Sequence, residues 1–378
     1  MELATLLQDL TEQQGSDLFI TVGAPPMLKR SGELKPLADR PLDADTVTAL
    51  IRAALSESQF DAFQRDREAN HALVNEAGQR FRISALYQRG DPALVVRRIE
   101  MTIPSLAGLG LPDTLRELAE TKRGLILFVG GTGAGKSSSL AAMLDHRNAL
   151  GSGHILTIED PVEFVHPHRG CIVTQREVGI DTDSFDTALR NALRQAPDVI
   201  LIGEIRTRET MDFAVAFAET GHLVLATLHA NNANQALDRI INFFPADRRD
   251  QLLLDLSLNL RAVIAQQLLP RQDQDGRVAA LEILLNTPLI QERIRQGEIH
   301  TLKAIMGESE EQGMQTFDRH LYHLYVAGVI NYEQALAHAD SANEVRLMIK
   351  LHGANDTQDP GTPGGKRRGT PSLRLSDD

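Results

Sequence analysis

The chain has 378 residues, 42% hydrophobic and 24% charged, with 28 Gly and 16 Pro; this excludes a disordered chain, a collagen-like repeat and a coiled-coil rod, and predicts two folded units with a tail. Lys and Arg total 39 against 51 Asp and Glu, a formal net charge of -12 that argues against a protein working along nucleic-acid phosphates. One cysteine, Cys171, excludes an intrachain disulfide and a four-cysteine zinc site. The opening MELATLLQDLTEQQ is acidic and lacks the cationic start and apolar stretch of a signal peptide. The longest sharp apolar run, Leu125–Val129, falls far short of the ~18 residues needed to cross a bilayer. A soluble, cytoplasmic protein with no direct membrane insertion is expected, one that reaches any membrane process by docking.

Leu3, Leu6, Leu7 and Leu10 recur at helical spacing and predict an amphipathic helix that ends at Gly15-Ser16. DLFITVG, MLKRSG and ELKPL then read as short strands, and residues 43–66 as helical. RFRISALYQ (80–88) and ALVVRRI (93–99) predict a hairpin turning at Arg89-Gly90-Asp91-Pro92. Residues 1–100 therefore read as an α+β module, and the Pro- and Gly-rich 101–113 as a linker. Beyond it, the apolar runs GLILFVG, HILTIE, DVILIGE and HLVLATLH alternate with helical stretches, the pattern of a parallel sheet buried on both faces. After Asn231 the chain reads as mostly helical: one helix over 247–269, with Leu252, Leu253, Leu256, Leu260, Val263 and Ile264 on a common face, and two more near 317–329 and 333–351. The folded part ends near 353, and residues 354–378 are too polar to bury and are expected to be disordered.

The segment GGTGAGKS, Gly130 to Ser137, follows an apolar strand and opens a helix, as a phosphate-binding loop requires. Gly130, Gly131, Gly133 and Gly135, with the small Thr132 and Ala134, let backbone N–H groups curl around phosphate oxygens. Lys136 supplies a cation for the β- and γ-phosphates, Ser137 a hydroxyl for Mg²⁺, and Ser138 continues the helix whose positive end faces the anion. Three other strands end in polar residues: Glu159-Asp160-Pro161-Val162-Glu163 after HILTIE, Glu204 with Arg206 and Arg208 after DVILIGE, and Thr227 and His229 after HLVLATLH, which has His222 at its start. Ligands of open parallel sheets sit at the strands' carboxyl ends, so these residues describe a site that hydrolyses ATP with Mg²⁺.

Plainer readings stand beside these. Glu159 and Asp160 could cap a helix or pair with Arg169, and a lone histidine is more often structural than functional. His166, His168 and Cys171 suggest zinc but lack a fourth ligand at convincing spacing. Phosphoryl transfer commonly uses a further arginine, and neither composition nor spacing selects it among Arg80, Arg82, Arg97, Arg98, Arg190, Arg194, Arg206 and Arg208.

From Met1 to about Gly353 the chain resembles the secretion and type IV pilus ATPase superfamily, and most closely its PilT/PilU retraction branch. The likeness rests on GSDLFITVGAPP, the phosphate loop GGTGAGKS, the acidic box TIEDPVEF, the strand VILIGE and the histidine box TGHLVLATLHANNA, in that order. It implies a PAS-like domain over 1–100, a RecA-like ATPase domain over 114–353, and a homo-hexamer with ATP between subunits. It also implies Lys136 and Ser137 as phosphate and Mg²⁺ residues, Glu163 as the glutamate that activates water, and Glu204 as the second acid at the Mg²⁺, in part through water. Glu159, Asp160, His222 and His229 belong to its boxes, and Arg82 or Arg97 would reach across a subunit boundary. PLIQERIRQGE (288–298) keeps only part of the segment AIRNLIRE of the PilT proteins; with the polar tail, SGHILTIEDPVEF and CIVTQREVGIDTDSF, it looks like the accessory PilU type. The resemblance implies retraction of pili and twitching motility, together with a PilT-type ATPase and a PilC-like platform protein at the inner membrane. A nucleotide-binding adaptor with little turnover, or another hexameric P-loop translocase, are the alternatives.

Overall fold

The structure, a computed structural model, describes residues 2–30, 32–99 and 102–355. The first helix, α1 (Leu3–Glu12), buries Leu3, Leu6, Leu7 and Leu10, as its spacing predicts. It stops where Gly15 passes so close to Leu10 and Leu28 that a Cβ would sit 2.7 Å and 2.8 Å from them. The strands β1 (Asp17–Thr21), β2 (Met27–Arg30) and β3 (Glu33–Pro36) follow. The helical stretch is two helices, α2 (Ala44–Ala54) and α3 (Glu57–Asp66), because Ser56 and Gln59 form a capping box that starts the second. Then come β4 (Glu68–Val74), β5 (Arg80–Gln88) and β6 (Asp91–Arg98). β4 escaped the sequence pattern because this edge strand buries only Ala69. The hairpin turn is shorter than expected. Only Arg89 and Gly90 form it, both at positive φ (51° and 92°), while Asp91 and Pro92 already pair with β5. The six strands form one antiparallel sheet in the order β3-β2-β1-β6-β5-β4, with Phe60, Phe63, Ile51 and Val47 packed on one face.

The second sheet has seven strands. After α4 (Asp113–Glu120) come β7 (Gly124–Val129), α5 (Lys136–Leu150), β8 (Gly153–Glu159), β9 (Cys171–Glu177) and α6 (Phe185–Ala192). Next are β10 (Val199–Ile202), α7 (Arg208–Glu219), β11 (Leu223–Leu228), α8 (Ala233–Phe243), α9 (Ala246–Asn259), β12 (Leu260–Pro270) and β13 (Arg277–Leu285). Their order is β13-β12-β7-β11-β10-β8-β9, parallel except for β13. Successive residues of β7 enter opposite cores: Leu125, Leu127 and Val129 pack with α6 to α9, and Ile126 and Phe128 with α4 and α5. Leu106 and Leu111, in the segment read as a linker, are buried in that second core.

The helix expected over 247–269 is corrected: it ends at Asn259, and Leu260, Val263 and Ile264 belong to β12. Helical spacing and a strand buried on both faces look alike over a short apolar run, and here pairing with β7 and β13 decides. The pattern over 333–351 likewise divides. The remaining helices are α10 (Pro288–Arg295), α11 (Leu302–Gly307), α12 (Phe317–Val326), α13 (Tyr332–Ala337) and α14 (Ala342–Asn355). α12 ends before Gly328, whose φ of 71° does not suit a helix. Of the tail expected from residue 354, positions 354 and 355 close α14, and the rest lies outside the described residues. Among the described residues, no helix is long and apolar enough to cross a membrane.

Candidate nucleotide site

At the carboxyl end of β7 the chain must reverse into α5 within the six residues Gly130–Gly135, and it does so with Gly130, Gly133 and Gly135 at φ of 152°, 78° and 85°. Space enforces two of these glycines as well. A Cβ on Gly130 would lie 2.5 Å from the carbonyl oxygen of Gln266, and one on Gly135 2.8 Å from its Nε2. Gln266, on β12 and 2% exposed, accepts a bond from Ser139 Oγ at 2.8 Å, so it braces the loop against α5. Sequence reasoning missed it, because its strand was read as helix. Lys136 Nζ donates to the carbonyl oxygens of Gly130 and Gly131, both at 2.8 Å. Burial pushes its pKa down, and the Glu204 carboxylate opposes that shift.

A cavity of about 320 Å³ opens in front of this loop. Thr132, Gly133, Lys136 and Ser137 line one wall; Glu159, Asp160 and Glu163, then Glu204 and His229, line the others. Gly130, Gly131 and Ala134 line a neighbouring hollow behind the loop with Gln266. Ser138 and Gly135 stand in the loop-to-helix turn but do not line the cavity. Glu159, at the end of β8, accepts from Thr157 Oγ1 at 2.6 Å and Gln175 Nε2 at 3.3 Å, and burial raises its pKa. Burial also raises the pKa of Glu163, against the pull of Arg97 and Arg82. Glu204 accepts from Arg206 Nε at 2.8 Å and pairs with His229 Nε2 at 3.1 Å. Gly203 lets these strand ends converge, since a Cβ there would lie 3.1 Å from the Glu159 Cα.

The first sheet lies beside this site, although none of its residues lines the cavity. Arg82 and Arg97 are direct partners on β5 and β6, an arrangement of like charges that needs acids nearby. Arg97 Nε bonds Asp17 Oδ1 at 2.8 Å, Arg82 Nη2 lies 4.0 Å from Asp160 Oδ1, and Arg80 lies 3.8 Å from Glu177. Arg82, beside Asp160, and Arg97, whose charge acts on Glu163, thus stand near the acidic box of their own chain. The cause is the docking of the β5–β6 face onto the segment after β8.

His222 is corrected too: it is not brought to the cavity. It stands at the amino end of β11, a six-residue strand (roughly 20 Å) from His229. Its Nδ1 lies 3.0 Å from the Phe217 carbonyl oxygen, and its own carbonyl accepts from Gly124 N at 3.0 Å. Of the trio considered for zinc, His168 Nδ1 accepts from Val173 N at 3.1 Å, Cys171 is buried, and burial lowers the His166 pKa to about 4. His166, considered only for zinc, lines the cavity, as do Phe164 and Phe185, which close two of the quoted motifs without having been given a role.

The family described as "Type II/IV secretion system protein" matches residues 2–317. The Type IV pilus ATPase PilU of Pseudomonas aeruginosa is 59% identical over 94% of this chain and 93% of its own length. The Type IV pilus retractation ATPase PilT of the same organism is 39% identical over 89% of this chain and 97% of its own. Among solved structures, that of the pilus retraction motor PilT with bound ADP superposes with a TM-score of 0.86 at 39% identity, covering 92% of this chain and 99% of that one.

Proposed function

The chain belongs to the type II/IV secretion system protein family, and from that premise we propose that it is a PilU-like motor ATPase of type IV pilus retraction. The single observation that supports this most is the meeting of a glycine cradle with Glu163 and Glu204 in one cavity, at the carboxyl edge of a parallel sheet. Turned toward a nucleotide, Lys136 offers its ammonium to the β- and γ-phosphates. Glu163, whose burial raises its proton affinity, is suited to take the proton of the attacking water. Glu204, tethered by Arg206 and His229, orients that water and its neighbours. Arg82 and Arg97 face the developing charge from the first sheet.

Mg²⁺ would be held by Ser137 and Glu204, with its other positions filled by phosphate oxygens and water. Among the described residues, no group of three or more His, Cys, Asp or Glu is disposed to hold a metal unaided. The ion would neutralise phosphate charge; the positioning is left to the protein.

In this reading the first sheet is a PAS-like domain and the second a RecA-like ATPase domain, assembled as a homo-hexamer. Contacts to the γ-phosphate from both sheets favour a closed arrangement, and their loss on hydrolysis opens it. The motor stands in the cytoplasm at the inner membrane, works with a PilT-type ATPase on a PilC-like platform protein, and drives twitching motility without nucleic acid. The test is steady-state phosphate release by the full chain, with Lys136→Ala and Glu163→Gln scored for turnover and twitching. Variants that lose turnover yet twitch normally would instead establish an adaptor; stimulation by single-stranded DNA would establish a translocase.

A further inference from the structure

Behind His229 the chain passes through Ala230, Asn231 and Asn232 into α8, and two acids from distant elements hold this corner. Glu282, on β13 and 2% exposed, accepts the N–H of Ala233, the first residue of α8, at 2.8 Å. The N–H of Phe317, the first residue of α12, also acts on this carboxyl. Asp340, between α13 and α14, accepts from Asn232 Nδ2 at 3.3 Å, while Asn232 Oδ1 caps α8 by accepting from Gln235 N at 3.0 Å. Lys303 of α11 joins Asp340 at 2.9 Å to Asp318 at 3.2 Å, and Asp318 accepts from Ser341 N at 3.1 Å. A continuous polar chain therefore runs from α11, α12 and the α13–α14 turn to the segment that presents His229 to Glu204.

A carboxylate between two helix amino ends meets N–H groups that have no partner within their helices. Burying it is nonetheless costly, and an apolar residue of similar volume would pack a core at least as well. What the acid adds is a fixed position. We propose that Glu282 is a positioning residue of the hydrolytic site. It ties the amino end of α8, and through it the His229–Glu204 contact, to the C-terminal helices, so that a shift of those helices shifts His229. Among the described residues Lys136 bonds only the carbonyls of Gly130 and Gly131 and neither it nor the glycine loop bonds a member of this network, so nucleotide binding is expected to be separable from it. The inference rests on the hydrolytic reading above.

The test uses the full chain as wild type, Glu282→Ala, Glu282→Gln and Asp340→Ala. It measures kcat and KM for ATP hydrolysis, the Kd of a fluorescent ATP analogue, and amide hydrogen exchange over 229–236. Glu282→Ala should lower kcat by about tenfold or more, leave Kd within about threefold, and speed exchange at Ala233 by about tenfold. Glu282→Gln should recover most of both, since its amide oxygen accepts the Ala233 N–H in the same way. Asp340→Ala, at a side chain 20% exposed, should act in the same direction but less, and it decides the matter if Glu282→Ala fails to fold. Unchanged exchange at Ala233, a Gln variant no better than Ala, or kcat and Kd falling together would overturn the proposal. A wild-type chain without turnover would instead sink the hydrolytic reading, while exchange at Ala233 would still report on the anchor.

Discussion

The glycine loop between β7 and α5 lines the cavity, the arginine pair on β5 and β6 stands outside it beside the acidic box, and the two are held in opposite ways. The loop is local: Gly130, Gly133 and Gly135 take conformations that other residues rarely adopt, and Gln266 packs against Gly130 and Gly135. The arginines come from another sheet and meet acids far along the chain, with Arg82 and Asp160 4.0 Å apart and their side chains 32% and 38% exposed. Such a half-exposed pair contributes little stability, typically ~0–1 kcal/mol. The loop wall is rigid by construction and the arginine face beside it is separable, which suits the proposed motor, in which phosphate is held firmly while the two sheets part and rejoin.

Four changes break or sharpen that contrast. On the rigid wall, Lys136→Ala should reduce kcat/KM by roughly 10²–10³ and weaken nucleotide binding, measured by phosphate release and analogue titration. Glu163→Gln, in the acidic box that lines the cavity, should cost a similar factor, roughly 10²–10⁴ in kcat, with binding retained. Gly135→Ala should destabilise the fold by about 1–3 kcal/mol, since it adds strain at a φ of 85° to a clash with Gln266; thermal unfolding would show it. The arginine face should answer in pH instead. Arg97 and Arg82 hold the Glu163 pKa down against burial, so Arg97→Gln lets it rise, and the acid limb of the kcat profile should move to higher pH. A limb that stays put would mean the arginines do not act on Glu163.

The anchor outside both regions has its own pH signature. Burial raises the Glu282 carboxyl to about 7, above its ordinary 4.5. Between these values the folded chain holds a proton that the unfolded chain has lost, so stability is fully present below the lower value and falls as pH rises to about 7. Glu282→Gln escapes this loss. Its unfolding temperature relative to wild type should therefore be higher at pH 8 than at pH 5, and a constant difference would contradict the buried charge.

Much of the site was legible because its parts are local. A phosphate loop must contain its glycines, lysine and serine consecutively, and acids at the ends of apolar strands announce a shared edge. β12 was not legible, because its apolar run suits a helix face and a doubly buried strand equally, and with it Gln266 was lost. His222 misled for the related reason that a residue near a motif in sequence can stand at the far end of the same strand. Glu282 gave no signal at all: an acid inside the run VAALEILL looks like an interruption until Ala233 and Phe317 are seen to approach it.

The chain's residues alone thus determined the cradle, the order of the acidic and histidine boxes and the two kinds of sheet, since each depends on neighbours within a few positions. Only the tertiary structure decided that Arg82 and Arg97 stand near their own acidic box, that β12 braces the loop, and that a buried carboxylate ties the helices beyond β13 to His229. Those contacts join segments distant in sequence, and packing, not periodicity, selects them.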